Sequence, residues 1–282
     1  MSTQERAFSA TGVGRTVSLG ISQVGYELRR YSRSTGQVFF TFFFPSLMFL
    51  LLATAFSGMG EVGVQPDGTG GISQAAYFLP GMLASGILLS GVQGLGIDIA
   101  VERSAGTLKQ LGGTPLSPTS YMIGKVGLVL VSGIVQAALL LGIAFFVYRV
   151  ELPTEPSQWL TFAWIFVLGI LTSTILGVAI SALPRGSQDA SAIIVPIVLV
   201  QQFISGVYIP FYVLPEWLQN VASVFPLKWI AQGMRSVFFP EHFASMEQNG
   251  EWGLGWIALA LLLWAVIGFV FTRLTFRWVR AR

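Results

Sequence analysis

The side chains that could do chemistry are concentrated in one stretch of this chain, Ala100–Val126, which reads AVERSAGTLKQLGGTPLSPTSYMIGKV. It places Glu102, Arg103, Lys109 and Lys125 between two long apolar runs. Charged side chains of both signs in such a place offer ionic contacts. Two interpretations are open: a linker that rests on a membrane surface, or a lever on which a cytoplasmic partner pushes.

The rest of the sequence gives little indication of a catalytic site or a metal site. The chain contains no cysteine, which excludes disulfides and thiol chemistry, and its single histidine, His242, leaves no zinc cluster. No His, Asp, Glu or Cys constellation lies within the apolar runs, so we expect no catalytic residue and no metal site. The phosphate-binding pattern G-x-x-x-x-G-K-[ST] is missing, because Gly124-Lys125 is followed by Val126. A net charge of +3 without a basic stripe does not indicate nucleic-acid binding.

The composition is that of a membrane protein. Hydrophobic residues make up 53% and charged residues 10% of the chain, and the mean hydropathy is +0.69. A helix needs about 20 apolar residues to cross the hydrocarbon core. The apolar runs therefore predict six spans, at 37–57, 77–98, 120–148, 159–183, 190–207 and 253–274. We predict an all-α integral membrane fold with an N-terminal tail and interface helix (1–36), a six-span domain (37–275) and a C-terminal tail (276–282).

The distribution of Lys and Arg predicts the orientation. With six spans and a cytoplasmic N-terminus, most of these residues fall in cytoplasmic segments: the N-terminal tail, the loop at Ala100–Val126 and the C-terminal end. Only Arg149, Lys228 and Arg235 fall outside. Cytoplasmic loops carry an excess of Lys and Arg. We therefore expect a multi-pass protein of the cell membrane with both termini in the cytoplasm.

The stretch between the second and third spans predicts a short helix. Val101, Ala105, Leu108 and Leu111 recur at helical spacing and form one apolar stripe, opposite Glu102, Arg103 and Lys109. The pair Gly112-Gly113 ends this helix. Ser117 then caps a new helix with Pro118 at its first position. We expect one helix over 101–112 whose polar face looks to the cytoplasm.

Amphipathic helices are predicted at two further places. Before the first span, an apolar stripe of Val17, Ile21, Val24, Leu28 and Tyr31 predicts a helix in the inner-leaflet interface, with Glu27 and the neighbouring arginines on its other faces. Between the fifth and sixth spans, prolines divide the chain into two short segments with apolar stripes. We predict two short re-entrant helices that dip into the outer leaflet and keep four polar side chains in water: Glu216, Gln219, Lys228 and Arg235.

The loop sequence resembles a known family. VERSAGTLKQLGGTPLSPTSYMIGKV is similar to the pattern E-R-x-x-G-T-L-x-x-L-x-x-T-P-L-S-x-x-x-x-x-x-G-K of the membrane subunits of type-2 ABC exporters, including daunorubicin-resistance-like permeases. The segment Gln201–Leu227 also resembles the family, which carries S-G-x-x-x-P and L-P near its fifth span. The loop positions that match are Glu102, Arg103, Gly106, Thr107, Leu108, Leu111, Thr114, Pro115, Leu116, Ser117, Gly124 and Lys125.

The resemblance implies a partner and a site. In that family the loop is a coupling helix that docks on a nucleotide-binding subunit, which binds ATP and Mg, whereas the membrane subunit binds no cofactor. It also implies pairing with a second copy or a sister permease, contact with membrane lipids, and no enzyme activity of this chain alone. The residues expected to couple to the ATPase are Glu102, Arg103, Ala105, Gly106, Thr107, Leu108, Leu111, Thr114 and Pro115.

The resemblance also suggests a substrate route along the second and fifth spans. The candidates on it are Phe78, Met82, Gln201, Gln202, Phe203 and Ser205. Few charges and many apolar residues suit a lipophilic drug, a lipid or a lipid-linked glycan. The small residues of the second span are better explained by close helix packing. An ion-coupled secondary transporter is the alternative function, but such carriers need an ionisable group at membrane depth, and the middles of the six spans contain none.

Overall fold

The computed structural model describes residues 13–114 and 116–275, and within these ranges the chain is helical. Its backbone there forms no strand beyond an isolated antiparallel bridge between Val62 and Ile72. The main helices, in chain order, are α1 (Val13–Ser32), α2 (Thr35–Met59), α3 (Gln74–Ser104), α4 (Thr107–Gly112), α5 (Pro118–Phe146), α6 (Pro156–Ile180), α7 (Ser187–Ile204), α8 (Glu216–Val224), α9 (Pro226–Phe238) and α10 (Leu254–Thr275).

The predicted all-α fold with six spans is confirmed. In the described residues, six helices are long and apolar enough to cross a membrane: α2, α3, α5, α6, α7 and α10. Their ends differ from the predicted ends by a few residues, except that α3 continues past Asp98 and Glu102 to Ser104. The reason is that Asp98 and Glu102 are paired inside the protein and so do not end the helix.

The second span, α3, is the central helix of the bundle. In its most apolar window 89% of the residues are buried, against 17% for α10. Small residues allow this packing, as predicted. A Cβ atom on Gly86 would lie 2.1 Å from Oε1 of Gln136 on α5, and one on Gly177 of α6 would lie 2.1 Å from the carbonyl oxygen of Gly91. The second contact is between two backbones and leaves room only for glycine at position 177, whereas Gly86 makes room for the side chain of Gln136.

The N-terminal helix α1 packs along the first turns of α5. A Cβ atom on Gly124 would lie 2.4 Å from Cγ of Gln23, and one on Gly127 would lie 2.4 Å from Cγ2 of Val24. This close approach buries Glu27, which is 1% exposed. The face that carries Glu27, and not the predicted apolar stripe alone, is therefore the one that enters the bundle: the glycines of α5 admit α1 closely, whereas Val17 and Ile21 of the stripe are 43% and 63% exposed.

The two short helices predicted between the fifth and sixth spans are present as α8 and α9. Only part of the stripe on α8 is uncovered within the described chain: Trp217 is 65% and Val221 44% exposed, whereas Leu218 packs against a buried apolar cluster. The expectation that Lys228 and Arg235 stay in water was wrong, because α9 is packed inside the fold and they are 2% and 5% exposed. Arg235 pairs there with Glu247, a partner that helical periodicity cannot reveal.

Candidate functional site

The loop between α3 and α5 is formed by two helices instead of one. α3 ends at Ser104, Gly106 takes a left-handed conformation with φ of 76°, and α4 begins at Thr107. The prediction of a single helix over 101–112 was therefore wrong. Glycine adopts positive φ without steric cost, and it commonly ends helices in this way. The turn gives α4 a direction of its own, so the predicted apolar stripe does not run along one continuous face.

A cluster of charged side chains lies directly behind this loop. The ammonium nitrogen Nζ of Lys125, on α5, lies 3.0 Å from Oε2 of Glu27 on α1. The same nitrogen lies 2.7 Å from Oδ2 of Asp98 and 2.8 Å from Oε1 of Glu102, both on α3. One buried lysine thus joins three helices. We call this group, together with Arg30 and Tyr121, the charged cluster.

Arg30 and Tyr121 complete the charged cluster. The Arg30 guanidinium donates to Oε2 of Glu27 at 2.8 Å and also to the carboxylates of Asp98 and Glu102. Burial lowers the pKa of Arg30, but attraction by the three carboxylates outweighs it, so the pKa is raised and the side chain stays charged. The hydroxyl of Tyr121 donates to Oε2 of Glu102 at 2.5 Å.

The charged cluster is buried, and it contains more negative than positive groups. Lys125 is 0%, Glu27 1% and Glu102 6% exposed, whereas Arg30 keeps a side-chain exposure of 34%. Three carboxylates face two cations, which leaves one negative charge in excess when all five groups are ionised. A buried charge without a partner is costly. The ion pairs therefore hold these side chains together, and they connect the helices α1, α3 and α5.

The charged cluster could be mistaken for a metal centre. One oxygen each of Glu27, Asp98 and Glu102 lie within 4.8 Å of one another, a spacing that suits a cation. The ammonium group of Lys125, however, is within 3.0 Å of all three carboxylates. The position that a metal ion would take is filled by a side chain of the protein, so these residues do not fit a metal.

The structure divides the predicted coupling residues between the interior and the surface. Glu102 points into the charged cluster, and Arg103 donates a hydrogen bond to the carbonyl of Pro184 in the α6–α7 connection. Leu108 is buried at 6% exposure. Gly106, Thr107 and Leu111 are half-buried, Ala105 and Thr114 are exposed, and Pro115 lies outside the described residues. The coupling role of these residues stays a prediction.

Sequence reasoning missed most of the charged cluster. It named Glu102 as a contact for a partner, but Glu27, Arg30, Asp98, Tyr121 and Lys125 were not identified as its neighbours. The available signal was the position of Asp98, Glu102 and Lys125 at the ends of long apolar runs. Side chains of opposite charge at the ends of neighbouring spans can pair with one another, and this was the signal that indicated an ionic contact.

The residues predicted to line a substrate path do not share one surface. Phe78, Met82, Gln201, Gln202 and Ser205 are buried, whereas Phe203 is 45% exposed on the other side of α7. Oε1 of Gln202 accepts hydrogen bonds from Ser85 on α3, at 2.9 Å, and from Tyr208. Gln202 therefore ties α7 to α3. The path itself stays a prediction.

Comparison with known proteins shows what the chain is similar to. The sequence model of the ABC-2 type transporter family matches residues 23–239, a range that contains the whole charged cluster and the loop. "Putative transport permease ycf38" of Porphyra purpurea is 29% identical over 196 residues, which is 66% of this chain and 67% of that protein. "Probable multidrug ABC transporter permease YbhR" of Escherichia coli K12 is 27% identical over 158 residues, 56% of this chain and 42% of that protein. The alignment thus covers less than half of the length of YbhR.

Proposed function

The chain belongs to the ABC-2 type transporter family, and from this premise we propose that it is the permease subunit of an exporter driven by a separate ATPase. The partner subunit binds ATP and Mg, and this chain holds the route through the membrane. The missing phosphate-binding motif supports this division of labour. The chain itself is then a non-catalytic part of an ATP-driven complex.

The charged cluster behind the loop is the observation that carries the proposal. If the ATPase subunit moves the loop, the loop must be connected to the helices that move with it. Glu102, in the last turns of α3, is held by Lys125 on α5 and by Arg30 on α1. Any displacement of the loop is therefore passed to three helices at once. A loop that only linked two spans would need no such connection.

The docking surface proposed for the ATPase is the exposed part of the loop. Ser104, Ala105, Lys109, Gln110 and Thr114 are all exposed there. Glu102 acts from behind this surface by holding the loop in place, and Leu108 anchors α4 to the rest of the chain. This revises the interpretation of these two residues as direct contacts of the partner.

The proposed assembly is supported by the family, and the proposed cargo by the many apolar and few charged residues of the chain. We propose two permease subunits, either two copies of this chain or this chain and a sister permease, since closed pairs are the commonest symmetric assembly. Both termini lie in the cytoplasm and the complex resides in the cell membrane. The cargo is a lipophilic drug, a lipid or a lipid-linked glycan. The word multidrug in the name of YbhR agrees with the first of these.

The alternative function, an ion-coupled secondary transporter, gains no support from the charged cluster. Two of its carboxylates lie at the end of α3 and the third lies on α1, so none is in the middle of a span, and Lys125 and Arg30 already neutralise two of the three charges. Coupling by ions needs a carboxylate that is free to exchange its proton or cation.

The test is to block the exposed loop without touching the charged cluster. Ala105→Trp adds bulk to the proposed docking surface. Ser57→Trp adds a tryptophan at an exposed position near the C-terminal end of α2, away from the loop. We expect Ala105→Trp to abolish co-purification of the ATPase subunit, with an unchanged melting temperature of the isolated permease. Ser57→Trp should retain the ATPase. If Ala105→Trp keeps both the ATPase and transport-coupled hydrolysis, the loop is not the docking surface.

A further inference from the structure

A groove opens on the side of the bundle, away from the charged cluster. It has a volume of about 270 Å³ and is lined by residues of α3, α6, α7 and α10 and by Phe225 and Pro226. Ala179 and Ile180 form one wall, and Trp264 and Ile267 form another. Ile267 is 46% exposed, so the groove is reached from the exposed side of α10. An apolar groove in this position receives hydrocarbon more readily than water.

One polar group in the groove lacks a hydrogen-bond partner. Gln201 lines the groove and is only 6% exposed. Its Nε2 reaches the carbonyl of Ile197 at 3.4 Å, but its Oε1 has no partner among the described residues. The indole N–H of Trp264, the other polar group of the lining, already donates to the carbonyl of Val224 at 2.7 Å. Oε1 of Gln201 is therefore a buried acceptor without a partner among the described residues, which costs free energy until a donor arrives.

We propose that the groove binds the apolar part of an amphiphilic substrate, whose neutral hydroxyl or amide N–H donates a hydrogen bond to Oε1 of Gln201. This inference rests on the proposed function and narrows the cargo. None of the described residues that line the groove is charged, so a charged head group would have no counter-ion among them. The neighbouring Gln202 cannot take this role as readily, because its Oε1 already accepts from Ser85 and Tyr208. The substrate enters from the bilayer, past the exposed edge of α10.

The direct test compares two probes that differ by one donor. A long-chain primary alcohol with a photoactivatable diazirine in its chain, and the methyl ether of the same compound, are each cross-linked to the permease in phosphatidylcholine nanodiscs. We expect the alcohol to label the groove residues of α6 and α10 about two- to tenfold more than the ether, the range for one hydrogen bond. Gln201→Leu should remove this difference. Equal labelling by the two probes, or an unchanged difference in Gln201→Leu, would overturn the proposal.

A second pair of variants tests the groove without altering Gln201. Ile197→Trp narrows the groove, whereas Leu199→Trp makes the same change on the exposed face of α7. Labelling should fall in Ile197→Trp and persist in Leu199→Trp. Because the chain has no native cysteine, Ile197→Cys also tests whether a second copy of the chain covers the groove. A disulfide between two Ile197→Cys chains would show that the groove is covered by a second copy, and would overturn the proposal.

ATP hydrolysis, measured with the ATPase subunit present, distinguishes a transported substrate from a resident lipid in the groove. The alcohol should stimulate ATP hydrolysis by the complex, and Ile197→Trp should abolish this stimulation. If labelling follows the expected pattern but stimulation is the same in both tryptophan variants, the groove holds a resident lipid and the substrate role is wrong. If no ATPase subunit binds even the wild-type chain, the proposed function fails, and the labelling result still decides whether the groove binds the donor.

Discussion

Replacing Lys125 by methionine tests whether the charged cluster holds α1, α3 and α5 together. The change keeps most of the side-chain volume but removes the ammonium group that lies within 3.0 Å of three carboxylates. Those carboxylates then face Arg30 alone, and the excess negative charge rises from one to two. Arg30 cannot compensate, because it already contacts all three and its side chain is 34% exposed.

The expected loss is large on the scale of protein stability. Removing one partner from a buried ion pair typically costs about 3–5 kcal/mol, because it leaves a buried charge without compensation. Each 1.4 kcal/mol is a factor of about ten in an equilibrium. If this loss falls on the docking of α1, the undocked population rises about a hundredfold or more. The glycine contacts between α1 and α5 remain, so the spans themselves stay inserted.

Hydrogen–deuterium exchange of the permease in nanodiscs measures this change. Peptides from residues 13–32 should exchange much faster in Lys125→Met, whereas peptides from α6 and α10 should not. Lys109→Met is the matched control, because Lys109 is exposed on α4. Adding Asp98→Asn to Lys125→Met restores the original excess of one charge and should recover part of the protection. Equal exchange in Lys125→Met and Lys109→Met would refute the structural role of the charged cluster.

Three further predictions concern packing, protonation and the loop. Gly177→Ala should destabilise the bundle, because its Cβ would lie 2.1 Å from a backbone oxygen of α3. Gly142→Ala, with open space around it inside a helix, should not lower the melting temperature. Burial lowers the pKa of Lys228 from 10.5 to about 8. The unfolded chain then binds more protons than the folded chain between these values, so stability should rise with pH in that window, and melting curves of Lys228→Met should lose this rise. Leu108→Asp should speed amide exchange in α4, since burial of a leucine contributes about 1.5–3 kcal/mol; equal exchange in Lys109→Asp would contradict this.

The long apolar elements could be predicted from the sequence, because a span is set by local properties. About 20 apolar residues in a row have few alternatives to a membrane helix. The two short helices α8 and α9 were also predictable, since prolines mark their starts and apolar stripes repeat at helical spacing. Close packing by glycine was predicted for the second span, and Gly91 and Gly177 confirm that backbones meet there.

The partners of the charges could not be predicted in the same way. Glu27, Asp98 and Lys125 are far apart in the sequence, and periodicity within one helix does not show which neighbour it meets. The burial of Arg235 depends on Glu247 in the same manner. The break at Gly106 was missed because the apolar spacing continues across it, although the glycine itself was visible. Pairing between distant segments is a property of the tertiary fold.

The charged cluster also constrains the order in which the nascent chain matures. Glu27 and Arg30 emerge from the ribosome first, Asp98 and Glu102 follow with α3, and Lys125 arrives only with α5. Until then, the carboxylates at the end of α3 lack their buried cation and remain hydrated at the membrane surface. α1 therefore docks only after the third span has been inserted in the correct orientation. The N-terminal helix, although synthesised first, therefore reaches its final position only after α5, and its docking marks a correctly inserted third span.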